Sequence, residues 1–499
     1  MTSDILLGID LGTTILKAAA FEARTGRLLA HTAARLTIRT AADGTREQNL
    51  RDIDRDLVRV VGNLRRRLGR LWRNVVGLGL SAQGGSAILV DRATGRAHTP
   101  MQLWNDTRPL GLLPEIAARK SPSYWRRLSY MTQPGAGLAR IAWLRRRHPR
   151  LFTNNSLYVG AGEYIYFHLT GVWRQDAGSA LQVGCYDARR RRIDGEPLHL
   201  VGVTEKFVAP MRQDHETHPL STAGARLLGL PAGIPVAGPY MDHESGYLSA
   251  VGTSPRPLQC SLGTAWVGNF VTAKAPPPGF NLVLPSPLGR GSLVVRVMSA
   301  GNMTQNWALE SLIHPDHTKA LKQAEAIFDE ELLPPDGLVA LPWLTQPNFL
   351  APQCVGSGGF FGISTHTTRG DLVRATVAGM CFELARIFEP VLAARICDSV
   401  VLGGGASEGR QFRTILAALF HPLPVYRVLD TETAGPRGTL HAFSRKAAQA
   451  ATRRLRPPAQ AVVNRTRKQY ELYRELCEVL ARSLPGANGV IGHYRRKKP

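Results

Sequence analysis

The sequence predicts an α/β protein made of two related halves. Short apolar runs of strand character alternate with stretches of helical spacing along most of the 499 residues. A strand, a Gly-Thr turn and a second strand open the chain at Ile5–Phe21, and the same order returns at Pro257–Val267. A hydrophobic content of 44% over this length supports large cores and two or three domains.

The elements follow in order. Residues 5–10, 15–21 and 28–38 read as strands of a meander. Residues 50–72 have helical spacing, with Leu57, Val60, Val61, Leu64, Leu68 and Leu71 on one side. Val75–Leu80 is a short buried strand of parallel type that runs into Ser81-Ala82-Gln83-Gly84-Gly85. Ala87–Val90 is another strand, closed by the turn Asp91–Gly95, and 137–148 is a helix packed through Leu138, Ile141 and Leu144. Ile234–Ala237 is a strand leading into 238–252, where small residues after Ser245 suit a close-packed helix. A second half opens near residue 255, and the Pro-rich stretch Ala275–Gly279 reads as a surface loop. Residues 371–396 form a long helical pattern with Asp371 as the expected N-cap. Ser399–Leu402 is a strand entering Gly403-Gly404-Gly405, and 408–420 is a helix with Phe412, Ile415, Leu416 and Leu419 on its apolar side.

The formal net charge is +24, with clusters at Arg65–Arg67, Arg145–Arg147, Arg189–Arg192 and Arg495–Lys498. Such an excess suits either a surface for an acidic partner or solvated helix faces and turns. The clusters are dispersed and no aromatic-interleaved strand accompanies them, so no specific nucleic-acid partner is expected. No run approaches the ~18 apolar residues of a membrane helix, so no membrane partner is expected either. Met1–Asp4 leads straight into the first strand, which leaves no signal peptide, and the six cysteines are scattered without a CxxC pair. Reduced thiols and a cytoplasmic location are the expectation.

Four segments carry chemistry. In the first hairpin, Gly12 lets the backbone approach an anion, and the turn amides with the Thr13 and Thr14 hydroxyls can donate to phosphate oxygens. Asp10, at the strand end, is placed to hold magnesium directly or through water. The alternative is a plain hairpin whose Gly and Thr only make the turn. Trp104-Asn105-Asp106-Thr107-Arg108 sets an aromatic plate beside a carboxylate and a guanidinium, a combination that suits a polyol. Alone, it would read as a surface loop with a local Asp–Arg pair. Asp242 stands where strand gives way to helix, either as a catalytic carboxylate or as an N-cap. Adjacent residues on a helix point different ways, so His243 and Glu244 are not a metal pair. The glycines at 403–405 permit close approach of a base or phosphate but lack the full GxGxxG spacing.

In this order the pieces resemble the FGGY carbohydrate kinases, the sugar kinases of the actin/hexokinase/heat-shock-70 ATPase superfamily, from about residue 5 to about residue 480. The first phosphate motif is matched at Asp10, Gly12, Thr13, Thr14 and Lys17, and Glu47-Gln48-Asn49 is similar to the pair that precedes the first helix. Gln83, Trp104, Asp106 and Arg108 match the substrate positions, and Asp242 falls at the family's catalytic base. Gly263 and Thr264 match the second phosphate motif, Arg374-Ala375 the long helix, and Gly404 and Gly405, with Glu408 following, the adenosine motif. The chain departs from the pattern at Ala378-Gly379, where Glu-Gly is usual, at Glu408, where Asn is frequent, at His243, and at Pro239-Tyr240-Met241 before the base.

The resemblance implies two ribonuclease H-like (actin-like ATPase) domains flanking a catalytic cleft. Residues 1–252 would bind the sugar and carry the base, 253–485 would hold the adenosine, and 486–499 would be a basic tail. It implies ATP and Mg2+ as cofactors and phosphorylation of a sugar or polyol hydroxyl, a ketose such as a pentulose first among them. Glycerol is disfavoured, because Gly84-Gly85 stands where glycerol kinases carry an Arg-Glu pair. Two other readings stay open: an actin-like ATPase that moves a partner, and a lapsed relative that binds nucleic acid or another acidic partner. The sequence is silent on oligomeric state, and a homodimer is carried as an expectation.

Overall fold

A computed structural model describes residues 4–263, 265–274, 281–298, 300–344 and 358–483. Thr264, the Pro-rich stretch 275–279, Cys354 and the basic tail lie outside the described residues. The chain packs into two compact units. The first holds Met1–Gly252 with Val271–Val295 and Glu432–Ala451, and the second holds Thr253–Phe270, Arg296–Thr431 and the chain from Thr452 onward. No helix among the described residues is long and apolar enough to cross a membrane.

The first unit begins with the expected hairpin, β1 (Ile5–Leu11) and β2 (Ile15–Glu22), extended by β3 (Leu28–Arg35). Helix α1 (Leu50–Leu68) is capped by Asn49, whose side chain accepts from Arg51 N. Its buried face carries Ile53, Leu57, Val60, Val61 and Leu64, and burying each such side chain contributes roughly 1.5–3 kcal/mol. The helix stops four residues short of expectation, because Gly69 turns to φ 55° and a 3-10 turn follows. Leu71, assigned to the buried face from sequence, is therefore 45% exposed.

Beyond it come β4 (Val75–Ala82), α2 (Ala136–Arg147), α3 (Ala161–Thr170), α4 (Ala177–Val183), β5 (Thr217–Pro219), β6 (Pro235–Met241) and α5 (Asp242–Ala250). The sheet order is β5-β6-β4-β1-β2-β3, with β6, β4 and β1 parallel and both edges antiparallel. Two basic clusters occupy helix ends: Arg65–Arg67 form the last turn of α1 and Arg145–Arg147 that of α2. Cations there complement the helix dipole, which gives these charges a local use.

A late segment completes this unit from below. Leu440, Ala447 and Ala448 pack with Leu6, Ala19 and Phe21. Pro436 presses on β1 so closely that a Cβ at Gly8 would lie 2.0 Å from its carbonyl oxygen. Arg437 donates to Gly26 O at 2.7 Å and lies 4.3 Å over the Phe21 ring.

The second sheet repeats the plan. Strands β7 (Pro257–Leu262), β8 (Trp266–Thr272), β9 (Ser292–Met298), β10 (Ser399–Gly403), β11 (Val425–Val428) and β12 (Thr452–Arg454) stand in the order β9-β8-β7-β10-β11-β12. Again a hairpin is followed by two parallel strands and an antiparallel edge. Helices α6 (Asn302–Leu312), α7 (Arg369–Ala393) and α8 (Arg410–Phe420) cover it. The cap of α7 differs from expectation. Thr368 is the N-cap and Asp371 is the third helical residue, and the two bond reciprocally in a capping box.

Candidate active site

The three parallel strands of the first sheet end side by side. Asp10 lies level with Ser81 and Tyr240 with Ser81, so Asp10, Gln83 and Asp242 emerge at neighbouring carboxyl ends. Ligand sites in open α/β sheets gather at such ends. Asp10 accepts from Ser81 Oγ at 2.8 Å and faces Lys17 across the hairpin. Burial pushes its carboxyl above the usual range and the Asp242 charge adds to this, while Lys17 and the Ser81 bond offset part of it. The turn is tight: Gly12 N donates to Ile15 O at 3.1 Å, and a Cβ on Gly12 would meet that oxygen at 2.9 Å.

Thr13 joins the turn to the polar floor. Its hydroxyl donates to Gln83 Oε1 at 2.8 Å and accepts from Trp104 Nε1 at 3.1 Å. Gln48 donates to Thr13 O at 2.8 Å and accepts from Gln83 Nε2 at 3.2 Å. Trp104 is 43% exposed, a plate left uncovered beside this network. Thr14 is exposed on the turn, and Lys17 is half-buried.

Asp106 and Arg108 lie behind the plate. Asp106 is fully buried and accepts from Arg46 N at 3.0 Å, Arg108 N at 3.1 Å and the Arg108 guanidinium at 2.6 and 3.0 Å. Arg108 also pairs with Glu47 and lies 4.8 Å over the Trp143 ring. Burial works against the Arg108 charge, but the bonds and charges of Asp106 and Glu47 outweigh it and hold the group protonated. Both side chains, on the same loop as Trp104, are thus engaged with each other and with Arg46 N, Glu47 and the Trp143 ring.

Arg140, which the sequence pattern concealed within α2, is 2% exposed and donates to the carbonyls of Gly85, Leu103 and Trp104. Under the same loop, Glu163 is 1% exposed. Burial pushes its carboxyl up to about 7, with the Asp176 charge adding. A folded-state value above the ordinary 4.5 means stability that is full below 4.5 and lost as pH rises through about 7. Glu163→Gln is expected to flatten that loss, as read by urea midpoints taken from pH 4.5 to about 7.

Asp242 opens α5, with Met241 rather than itself as the cap residue. Its side chain is 40% exposed and accepts from His243 N at 2.9 Å, with His243 Nε2 at 4.0 Å. The first turn of α5 is pinned from behind: Glu244 accepts from Arg212 Nη2 at 2.8 and 3.0 Å, and Ser245 Oγ donates to Gly435 O at 2.6 Å. Gly435 also borders Asp10, since a Cβ there would lie 2.4 Å from Asp10 Oδ2.

The second unit gathers the other sequence-predicted positions. Gly263 O accepts from Asn302 N at 3.1 Å, and Asn302 Oδ1 accepts from Trp266 Nε1 at 3.0 Å. Gly404, at φ 84°, lies so close to Leu262 that a Cβ would stand 2.8 Å from its backbone. The triple-glycine loop therefore abuts the second hairpin. Beside it opens a cleft of about 620 Å³ lined by Asn302, Asn306, Phe328, Gly405, Glu408 and Arg413, among others. Glu408 is paired with Arg427. Asn302 was not singled out from sequence; its only signal is a place just after Gly301 at a helix start.

A magnesium site that nucleotide phosphates complete needs only one or two protein carboxylates. Asp10 fits as such a ligand, because burial and the Asp242 charge both penalise its anion and a divalent cation would relieve them.

Two family models match this chain. The N-terminal domain of the FGGY family of carbohydrate kinases covers residues 5–249, and the C-terminal domain of the same family covers 258–440. The chain belongs to the FGGY family of carbohydrate kinases. Among its relatives, this kinase is 26% identical to the erythritol kinase of Brucella abortus over 87% of its own length and 86% of that protein. It is also 26% identical to the L-fuculokinase of Salmonella typhi, over 87% and 91% of the two chains. The solved xylulose kinase of Rhodospirillum rubrum shares the fold, with a TM-score of 0.83 at 21% identity over 95% of this kinase and 99% of that chain. The two-unit α/β architecture of the kinase is thus the actin-like ATPase fold of FGGY sugar kinases.

Proposed function

We propose that this kinase transfers the γ-phosphoryl group of ATP to a hydroxyl of a sugar or polyol, a pentulose first among the acceptors, with Asp242 as general base. The supporting observation is the half-exposed Asp242 carboxylate at a strand end next to those of Asp10 and Gln83, with the Trp104 plate uncovered nearby. The sugar carbons lie on Trp104, and Gln83 meets a hydroxyl. Asp106 and Arg108 orient the Trp104 loop from behind. The acceptor oxygen attacks the γ-phosphorus as the bond to the β–γ bridging oxygen breaks, ADP leaves with that electron pair, and the acceptor's proton passes to Asp242; positioning and charge stabilisation do most of the work.

In the first unit Gly12, Thr13, Thr14 and Lys17 receive phosphate oxygens, and Asp10 holds magnesium, which when bound neutralises phosphate charge. In the second unit Gly263 and Thr264 serve a phosphate, while Gly404, Gly405 and Glu408 border the adenosine. Xylulose kinases among the relatives support a pentulose, and the erythritol kinase supports a polyol as the next acceptor to test.

ATP turnover over a panel of pentuloses, L-fuculose, erythritol and glycerol is expected to show a pentulose with the highest kcat/KM. Turnover with no member of the panel would overturn the proposal. Asp10→Ala is expected to lower turnover by at least ~10²-fold. The sugar-induced fluorescence change, taken as the difference from Trp104→Phe, should persist. Magnesium-dependent activity at the wild-type rate would remove Asp10 from the site.

A further inference from the structure

Gln182, near the end of α4, is held by glycines on two sides. A Cβ at Gly84 would lie 2.6 Å from its Nε2, and one at Gly85 would lie 2.0 Å from its Oε1. A Cβ at Gly135 would meet Gln182 O at 2.5 Å, and one at Gly137 would meet Val183 Cα at 2.4 Å, so backbone packs directly on the end of α4. Asp176 caps the other end of that helix through Gly178 N and Ser179 N. The carboxamide is therefore lodged in space that side chains at 84 and 85 would fill, directly after Gln83.

This carboxamide is polar but little used. It can donate two N–H bonds and accept at one oxygen. Among the described residues its one hydrogen bond is the weak contact from Nε2 to Met241 Sδ at 3.7 Å. Met241 immediately precedes Asp242, and the point where a Gly85 Cβ would stand is 3.2 Å from Trp104 Cβ. Gln182 thus joins the Trp104 side of the site to the Asp242 side. The cavity on the far side of Gln182, about 20 Å³, has room for about one water and not for a sugar.

We infer that Gln182 is a specificity-determining residue, whose carboxamide bonds a hydroxyl or carbonyl oxygen of the acceptor between Trp104 and Asp242. This rests on the acceptor site proposed above. A carboxamide both donates and accepts, so it suits an oxygen-rich chain and selects by the position of one oxygen.

The test is a pair of variants read by steady-state kinetics over the same acceptor panel. Gln182→Met keeps the shape and removes both polar atoms. Its kcat/KM for the preferred acceptor should fall about 3- to 10-fold, a hydrogen bond's worth, with the rank order of acceptors changed and KM for ATP within about two-fold. Gly84→Ala displaces the amide end without altering α4. It should change the rank order in the same sense, and adding it to Gln182→Met should have little further effect. Should Gln182→Met prove unstable, Gly84→Ala alone decides. Unchanged ratios of kcat/KM across the panel would overturn the role of Gln182 while wild-type activity keeps the acceptor site. Loss of the acceptor site itself would show instead as a wild-type enzyme that phosphorylates no member of the panel.

Discussion

Asp242→Asn is expected to lower kcat for phosphoryl transfer by about 10²–10⁴-fold while leaving KM for ATP nearly unchanged. The substitution keeps the shape of the side chain and its bond from His243 N, and removes the proton acceptor. The scaffold around it should hold, because α5 is fixed by Glu244 on Arg212 and by Ser245 on Gly435 rather than by Asp242. Single-turnover measurements at saturating ATP isolate the chemical step. Transfer to the sugar at the wild-type rate would exclude Asp242 as the base. The same variant separates the sugar kinase from a motor-like ATPase, which has no hydroxyl to activate at this position.

Asp106→Ala is expected to cost stability, by about 1–3 kcal/mol, because it leaves the Arg46 N–H without its acceptor and takes away one of the two carboxylates on Arg108. Arg108 would keep Glu47 but lose the carboxylate that takes the Nε–Nη2 edge of its guanidinium, and Arg46 N would lose its acceptor. The chevron or urea midpoint of the first unit measures the loss. Because Asp106 and Trp104 share one loop, the surviving folded fraction should also bind sugar more weakly, with KM for sugar rising and KM for ATP holding. A midpoint within about 0.5 kcal/mol of wild type would show that the buried pair is dispensable.

The repeated hairpin was legible because two apolar runs bracket a Gly-Thr turn in both halves, and strand ends such as Asp10 and Asp242 announce themselves as acids closing an apolar run. The polar residues that tie these ends together were not. Arg140 lies off the face that Leu138, Ile141 and Leu144 mark in α2, yet it is 2% exposed, and Gln182 is wedged among glycines at the end of α4. Their roles arise from partners 36 to 98 residues away, which no local period encodes. The Gly-Thr turn marks Thr13 as a phosphate donor, and its links to Gln83 and Trp104 exist only once strand ends meet. Thr368 and Asp371, three residues apart, compete for the cap role in the sequence, and the capping box uses both.

The segment 432–451 closes the floor beneath Asp10 and α5. This has a consequence for synthesis. A nascent chain that has emerged only to residue 252 holds every strand of the first sheet, yet Leu6, Ala19 and Phe21 still lack Leu440, Ala447 and Ala448. Translation of the missing ~200 residues takes on the order of 10–40 s at ~5–20 residues per second. The first unit therefore waits through the making of most of the second before the floor under Asp10 and α5 is closed, and only the chain from Thr452 onward, which belongs to the second unit, is made after it.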